Sequence, residues 1–259
     1  MVRSQAGYHV RHVHGLAELD QSRRETSFCP GYALVQRARP FYGQKKNHNV
    51  FGHDCDIYFT RFFHNAPGGP LVNHFYTKGP VFAAPLKAVE VDHEGILRLK
   101  WWKNNDKLKA KRIETELAAV EDGYAASIRM FDVKLPRDKV HVIEGMLGPT
   151  KAEQAGGMKR GIFFDHGDGH GEFLAFGPDS TSFGDMNADG SNSRVHQTCN
   201  REIDFGPTRT FRLVIKHNMM ELYINDYLMN LKRVKWNGHI GLIGADNNAL
   251  QNIDVWQSD

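Results

Sequence analysis

The sequence predicts an all-β fold, an antiparallel sandwich or barrel, for the last two thirds of this 259-residue chain. From about Val81 onward, short runs such as "GEFLAFG" and "TFRLVIKH" follow one another at regular spacing. Gly, Asp and Asn separate these runs, as expected of turns between antiparallel strands. No long segment has a convincing helical period, which favours an all-β architecture over a mixed one.

The first eighty residues differ in composition from the rest of the chain. They are rich in His, Arg, Pro and aromatic residues and contain only short apolar clusters. The stretch "NAPGGP", Asn65 to Pro70, predicts a loop, because Pro fixes φ and paired Gly frees it. We therefore expect two units: an irregular β-rich segment over residues 1–80 and a β-sandwich over residues 81–259.

The sandwich begins with a predicted hairpin. The run "LKAVEV" alternates and meets "GILRLKWW" across "DHEG", a composition that suits a tight turn. Three acids at alternate positions in "EVDHE", Glu90 to Glu94, lie at this turn. Their position favours a solvent-exposed turn over a catalytic pair of carboxyl groups.

The next segment, "KLKAKRIETELAAVEDG", is the nearest to a helix in the chain. Its charged residues fit one helical face, whereas its apolar residues also fit a strand followed by a turn. Both alternatives stay open from the sequence.

The end of the chain carries a recognisable pattern. In "MELYINDYLM", alternation places Glu221, Tyr223 and Asn225 on one face of a strand. An "FRLVI" strand that contains Arg212 precedes it, and a strand of the form G-x-I-G-L follows. This order resembles the concanavalin-like jelly-roll modules of carbohydrate-active proteins. Among these, it looks most like the β-sandwich that follows the propeller in glycoside hydrolase family 32 and related fructan-acting proteins.

The resemblance covers roughly residues 81–259 and implies a jelly-roll β-sandwich with a carbohydrate ligand. Catalysis in that family belongs to a five-bladed propeller with N-D-P-N-G, R-D-P and E-C elements, and none of these occurs in the sequence. Residues 1–80 would then be the last strands or a remnant of a propeller. The resemblance therefore favours a carbohydrate-binding or accessory module, with a fructan-type glycan as one ligand. The alternatives are a jelly-roll glycoside hydrolase or lyase acting on a polysaccharide, and a protein-binding domain of laminin-G type.

Sugar binding on a sheet needs an aromatic platform and charged groups that reach pairs of hydroxyls. Trp101 and Trp102 are adjacent, so on a strand one faces inward and the other outward as a candidate platform. Arg212 beside Glu221 and Tyr223 is the candidate charged group. The competing interpretations are core packing for the tryptophans and a cross-strand salt bridge for the arginine.

A polar cluster, "FFDHGDGHGEF", separates two predicted strands. Asp165, His166 and Glu172 are its candidate ligand-binding residues, with Asp168 and His170 between them. Imidazole and carboxylate together suit a transition metal. Three glycines in the same stretch instead favour a flexible hairpin loop or a sugar contact.

The stretch "FGDMNADGSNSR" begins like a calcium loop. Asp185, Asn187 and Asp189 alternate and Gly190 follows, but the twelfth position is His196, which cannot supply the bidentate carboxylate that Ca²⁺ prefers. The complete motif therefore fails. Calcium remains the one cofactor that the sequence suggests, and the competing interpretation is a turn in which Asx side chains bond their own backbone.

Charge and composition exclude several other classes. Lys and Arg number 33 against 30 Asp and Glu, and the two signs are interleaved, so no concentrated basic face for nucleic acid is predicted. The only dense basic run is "KWWKNNDKLKAKR", which also fits a solvated strand and turn. No run approaches about 18 apolar residues, so no membrane partner is expected. Three widely spaced cysteines describe neither a disulfide framework nor a paired-cysteine zinc site.

Overall fold

The computed structural model describes residues 57–76, 84–92, 96–118, 123–125, 127–148, 160–177, 180–200, 209–244 and 250–259. Cys29, Cys55 and the tip of the predicted "DHEG" turn lie outside the described residues. Sixteen strands occur in the described ranges, arranged in two antiparallel sheets. The predicted all-β antiparallel sandwich is therefore confirmed.

The larger sheet has ten strands in the order β1-β2-β3-β4-β14-β13-β12-β7-β16-β5. Its strands are β1 (Ile57–Phe63), β2 (Leu71–Tyr76), β3 (Lys87–Val91), β4 (Leu97–Trp101), β5 (Lys111–Ile113), β7 (His141–Leu147), β12 (Arg209–Lys216), β13 (Met219–Ile224), β14 (Tyr227–Arg233) and β16 (Leu250–Gln257).

The smaller sheet has six strands in the order β11-β10-β9-β8-β15-β6. Its strands are β6 (Ile128–Met130), β8 (Gly161–Asp165), β9 (His170–Phe176), β10 (Ser180–Asn187), β11 (Arg194–Asn200) and β15 (Ile240–Ile243).

Alternation along the strands builds the main core between the sheets. Phe211, Leu213 and Ile215 of β12 are at most 2% exposed and lie in this core. Leu174 of β9 and Phe183 of β10 belong to the same cluster. Because side chains alternate across a strand, Arg212 and Val214 lie on the opposite, outer face of the large sheet.

The outer face of the large sheet also has an apolar cluster of its own. Val72 of β2, Trp101 of β4, Val142 of β7 and Tyr223 of β13 all belong to it. The predicted alternation of β13 is visible here, since Glu221 and Tyr223 lie on this outer face while Leu222 lies in the main core. Charged residues placed on this face are consequently surrounded by apolar side chains.

The segment before residue 80 contributes to the large sheet. Strand β1 pairs with β2, and Leu71 and Val72 of β2 pair with β3. The described part of the first eighty residues is thus two β-strands. The division of the chain at residue 80 stays a prediction.

The remaining local expectations have mixed outcomes. The β3–β4 hairpin is present, with Val89 opposite Leu99. The stretch proposed as helix or strand begins with the last two residues of a 3-10 helix, Lys103–Leu108, and continues into β5. In the described part of that stretch the strand alternative is therefore the correct one. None of the helices in the described ranges is long and apolar enough to cross a membrane.

Candidate functional site

The residues predicted to bind ligand lie on two separate surfaces. Trp101, Arg212, Glu221 and Tyr223 lie on the outer face of the large sheet, with Trp102 at its rim. Asp165, His166 and Glu172 lie on the smaller sheet, together with the three residues proposed for calcium. The two surfaces differ in how deeply their paired polar groups are buried.

Trp101 is packed and is not an exposed platform. Its side chain is 8% exposed, and its ring meets that of Tyr223 edge-on at a centroid distance of 5.3 Å. The guanidinium carbon of Arg212 lies 4.4 Å from the centre of the Trp101 ring, and the indole nitrogen donates to Asp106 over 3.1 Å. Trp102 is half-buried, and its carbonyl accepts a hydrogen bond from the backbone of Asn105.

Arg212 belongs to a row of charged side chains in which each member is paired with one of opposite sign. It donates to Glu144 and to Asp226, each over 2.5 Å, and Lys109 lies 3.1 Å from Glu144 and 3.2 Å from Asp106. Burial lowers the pKa of Arg212, but the carboxylates of Glu144 and Asp226 outweigh it and raise this pKa above its ordinary value. The expected pairing of Arg212 with Glu221 is not what the structure has.

Glu221 forms a buried ion cluster with the N-terminal strands. Its carboxylate lies 2.8 Å from the Lys87 ammonium of β3 and 3.3 Å from the His74 ring of β2, and it accepts from the Tyr223 hydroxyl over 2.6 Å. Burial raises the pKa of Glu221, but Lys87 and His74 bring it down to about 2. Burial, with the charge of Lys87, lowers the pKa of His74 to about 4. All four side chains are buried, so this cluster ties strands together and offers no surface to a ligand.

On the smaller sheet, strand register brings the two polar motifs together. Glu172 of β9 lies directly opposite Asp185 of β10, and His170 lies opposite Asn187. Asp185 in turn lies opposite Arg194 of β11 and is in contact with His196. These six residues form what we call the cross-strand patch: His170, Glu172, Asp185, Asn187, Arg194 and His196.

The cross-strand patch continues the inner face of the smaller sheet beyond the core. Glu172 shares its strand face with Leu174, and Asp185 shares its face with Phe183, and both of these apolar residues lie in the main core. The side chains of His170, Asp185 and His196 are 61%, 48% and 41% exposed. Arg212 and Glu144 on the outer face are only 17% and 22% exposed, so the patch is more open to solvent than this pair.

Glu172 anchors the patch to the large sheet. Its carboxylate accepts a 2.7 Å hydrogen bond from the backbone of Lys235, which follows β14. Burial raises the pKa of Glu172, and the hydrogen bond from the Lys235 backbone, with the charges of Lys232 and His196, only partly counters this effect. Glu172 therefore holds its proton to a higher pH than an ordinary surface carboxyl group.

Asp165 has a structural role beside the patch. It is 5% exposed, and its carboxylate accepts from the backbone of Gly167 and from the side chain of Asn237, each over 2.9 Å. Gly167 has φ of +85°, which favours glycine at this tight turn between β8 and β9. His166 is half-buried, and burial lowers its pKa.

The calcium-like stretch is built as a self-bonded turn. Asp189 accepts from the backbone of Ser191 over 2.8 Å, and the Asn187 amide donates to the Ser191 hydroxyl over 2.8 Å. Asp185 contacts His196. Within the described ranges, no group of three or more His, Cys, Asp or Glu side chains is arranged to hold a metal ion. These contacts match the competing interpretation of the stretch, a turn in which Asx side chains bond nearby backbone and hydroxyl groups.

Sequence reasoning missed Arg194 as a member of the patch and considered His196 only as a failed calcium ligand. Both lie on β11, whose register with β10 shifts between Phe183 and Gly184. The alternation of polar residues in "RVHQT" was the available signal. It does not reveal which strand β11 pairs with.

Comparison with known proteins identifies the architecture. No family model and no curated protein matches the chain. Among solved structures, a Bombyx mori GH32 β-fructofuranosidase matches with a TM-score of 0.50 at 8% identity, covering 78% of this chain and 40% of that one. A β-fructofuranosidase from Schwanniomyces occidentalis matches with a TM-score of 0.50 at 10% identity, covering 78% of this chain and 47% of that one.

The matched region is the C-terminal β-sandwich part of these enzymes. The predicted resemblance to the sandwich of glycoside hydrolase family 32 is therefore confirmed at the level of the fold. The chain matches less than half the length of either enzyme.

Proposed function

We propose that this chain is a carbohydrate-binding module and that the cross-strand patch holds the sugar. The single observation that carries this proposal is the solvent-open row of carboxylate, amide, imidazole and guanidinium groups across β9, β10 and β11. Proteins recognise sugars with such donors and acceptors held on a rigid support, because hydroxyl groups both donate and accept.

The spacing of the patch supports recognition of neighbouring hydroxyls. Directly opposed side chains on antiparallel strands start from Cβ atoms about 5 Å apart, and residues two apart on one strand are about 7 Å apart. Glu172 and Asp185 supply acceptors, while Arg194 supplies several donors. One face of a sugar ring can therefore meet both kinds of group at once.

The outer face of the large sheet is a poorer candidate. Its arginine is bound by two carboxylates and a tryptophan ring, so a sugar would have to displace charge-assisted hydrogen bonds that are already made. In the patch, by contrast, the contact between Asp185 and His196 joins side chains that are 48% and 41% exposed, so a sugar hydroxyl can replace it at lower cost. This difference favours the patch over the residues around Trp101.

The fold supports an accessory role. The two matched chains are β-fructofuranosidases in which the aligned sandwich is less than half of the protein. We infer that this chain serves as a glycan-binding partner to a catalytic unit, and inulin and levan are the first ligands to test.

The test is affinity electrophoresis of the full chain in gels that contain inulin, levan or plant polysaccharides. The double variant Glu172→Gln/Asp185→Asn should lose retardation, because it removes both charged acceptors while preserving size. The matched control Glu114→Gln/Glu116→Gln changes two exposed acids on or near β5 and should bind normally. Retention by the first variant, or loss by both, would contradict the proposal.

A second candidate function, glycan hydrolysis, is favoured by one feature of the same patch. Glu172 and Asp185 lie directly opposite each other on neighbouring strands, so their Cβ atoms start about 5 Å apart, and retaining glycosidases hold their two carboxyl groups about 5 to 5.5 Å apart. The raised pKa of Glu172 suits an acid that protonates the leaving oxygen, while the Asp185 carboxylate would attack the anomeric carbon. Release of reducing sugar that Asp185→Asn abolishes would favour hydrolysis, and retardation without turnover would favour binding.

A further inference from the structure

Three loops meet at the end of the sandwich that carries the cross-strand patch. They are residues 132–140, residues 216–218, which comprise the last residue of β12 and the β12–β13 turn, and residues 234–239. The backbone of His217 donates to the carbonyl of Arg137 over 2.7 Å, and the backbone of Leu135 donates to that of Gly238 over 2.8 Å. These contacts fix the three loops as one continuous surface.

This surface is basic. Together the three loops contain five lysine or arginine residues and two aspartates, a difference of +3. The entire chain has 33 basic and 30 acidic residues, also a difference of +3, so the rest of the chain sums to zero. The three loops therefore carry as much net positive charge as the whole chain, while the remaining residues balance in sign.

The cations of this surface are available to a partner. Lys134 and Arg137 are exposed and Lys139 is half-exposed. Lys235 is 67% exposed, and its distance to the exposed Asp168 is 3.7 Å, a weak surface pair. We call these four residues the basic rim.

The basic rim adjoins the patch. The backbone of Lys235 is bound by Glu172, and the indole of the next residue, Trp236, donates to the carbonyl of His217. His217 in turn contacts Arg137. The patch and the basic rim are therefore neighbours at the same end of the sandwich and meet at Lys235.

We propose that the glycan bound by this module is acidic, with carboxylate or sulfate groups along its chain that lie over Lys134, Arg137, Lys139 and Lys235. This inference rests on the proposed function, since it takes the patch as the place where one sugar is held. Negative groups on neighbouring sugars would then meet the rim, and charge complementarity would select acidic over neutral polymers.

An acidic glycan fits this surface better than nucleic acid does. Single-stranded nucleic acid is held by aromatic rings on which its bases stack. The aromatic residue in these three loops is Trp236, which is 2% exposed. Duplex binding draws on a denser array of cations than four side chains spread over two loops.

The experiment compares polygalacturonate with inulin by affinity electrophoresis and calorimetry at low and high salt. The test variant is Lys134→Gln/Arg137→Gln/Lys139→Gln, and the matched control is Lys103→Gln/Lys107→Gln/Lys111→Gln, three exposed lysines elsewhere. We expect the test variant to lose about tenfold in affinity for polygalacturonate and much of its salt dependence, since each exposed pair contributes a few tenths to one kcal/mol. The control should stay within about twofold of the parent chain.

Several outcomes would overturn the inference. In one outcome, inulin binds as tightly as polygalacturonate and neither triple variant changes the affinity. This result would contradict the proposal of an acidic ligand and leave the proposed function unaffected. Equal losses in both triple variants, or duplex DNA bound as tightly as polygalacturonate, would also contradict the acidic ligand. Failure to retain any glycan would remove both proposals. Thermal unfolding of each variant confirms that the chain is folded.

Discussion

Arg212 covers the face of Trp101 on the outer side of the large sheet. The guanidinium carbon is 4.4 Å from the ring centre, within the range of a cation–π contact, and the same guanidinium bridges Glu144 and Asp226. Lys109, just after the 3-10 helix, joins Glu144 from the other side. These ion pairs link the 3-10 helix and the β13–β14 turn to the outer face of the large sheet.

Replacing Arg212 by lysine should weaken the fold and leave glycan binding unchanged. A lysine cannot stack on Trp101 and bridge two carboxylates at once, so we expect a loss of about 1–2 kcal/mol in the free energy of unfolding. Urea denaturation measures this loss. Arg112→Lys is the matched control, because Arg112 is 52% exposed and pairs with Asp254 at the surface. Loss of glycan retention in a stably folded Arg212→Lys chain would move the binding site to the outer face.

Stability should fall in acid in two steps because of the buried cluster around Glu221. The pKa of His74 is lowered from 6.5 to about 4, so the unfolded chain takes up this proton first and stability is lost as the pH falls from about 6.5 towards 4. The pKa of Glu221 is lowered from 4.5 to about 2, so a further loss follows between about pH 4.5 and 2. Protonation of His74 and protonation of Glu221 therefore both lower the free energy of unfolding as the pH falls.

The pH dependence of the unfolding midpoint in His74→Gln tests the first step. We expect its profile to be flatter than that of the parent chain between pH 6.5 and 4, because the titrating imidazole is gone. His170→Gln is the control, since this side chain is 61% exposed and should leave the profile as it is. An unchanged profile in His74→Gln would show that another group governs acid lability in this range.

Alternation and turn composition were enough to predict the β3–β4 hairpin and the faces of β12 and β13. These features depend on neighbours in the sequence, and one face of each strand is buried. The partners of the charged residues could not be predicted in the same way. Lys87 and Glu221 are 134 residues apart, and Arg212 and Glu144 are 68 apart.

The cross-strand patch also depends on contacts between strands that the sequence does not reveal. Each of its motifs is visible in the sequence, but the pairing of Glu172 with Asp185 depends on the order and register of β9, β10 and β11. A shift of one residue would send Asp185 to the other face of the sheet. Sequence alternation indicates which residues share a face, and the neighbouring strands decide which of them meet.

Gly184→Ala should damage both the fold and the patch. A Cβ at this position would lie 2.1 Å from the carbonyl oxygen of Arg194 and 2.6 Å from the Phe173 ring. Backbone cannot yield as a flexible side chain does, so β11 would have to move away from β10. We expect a loss of about 2–3 kcal/mol in stability and weaker glycan retention, measured by urea denaturation and affinity electrophoresis. Ser182→Ala, two residues earlier on the same strand, should change stability by less than about 1 kcal/mol, and an equal effect of the two would contradict this account.

Calcium addition should leave the unfolding midpoint unchanged. Ca²⁺ requires six to eight oxygen ligands, whereas here Asp189 is turned onto the backbone of Ser191 and Asp185 contacts His196. Binding would have to break these contacts before any ion was held, so thermal unfolding in CaCl₂ and in EDTA should coincide. A higher midpoint in CaCl₂ that Asp189→Asn removes would show instead that the loop rearranges around the ion, since a ligand that binds only the folded state raises its stability. In that case the glycan experiments would need calcium, because the same Asp185 carboxylate would serve both ligands.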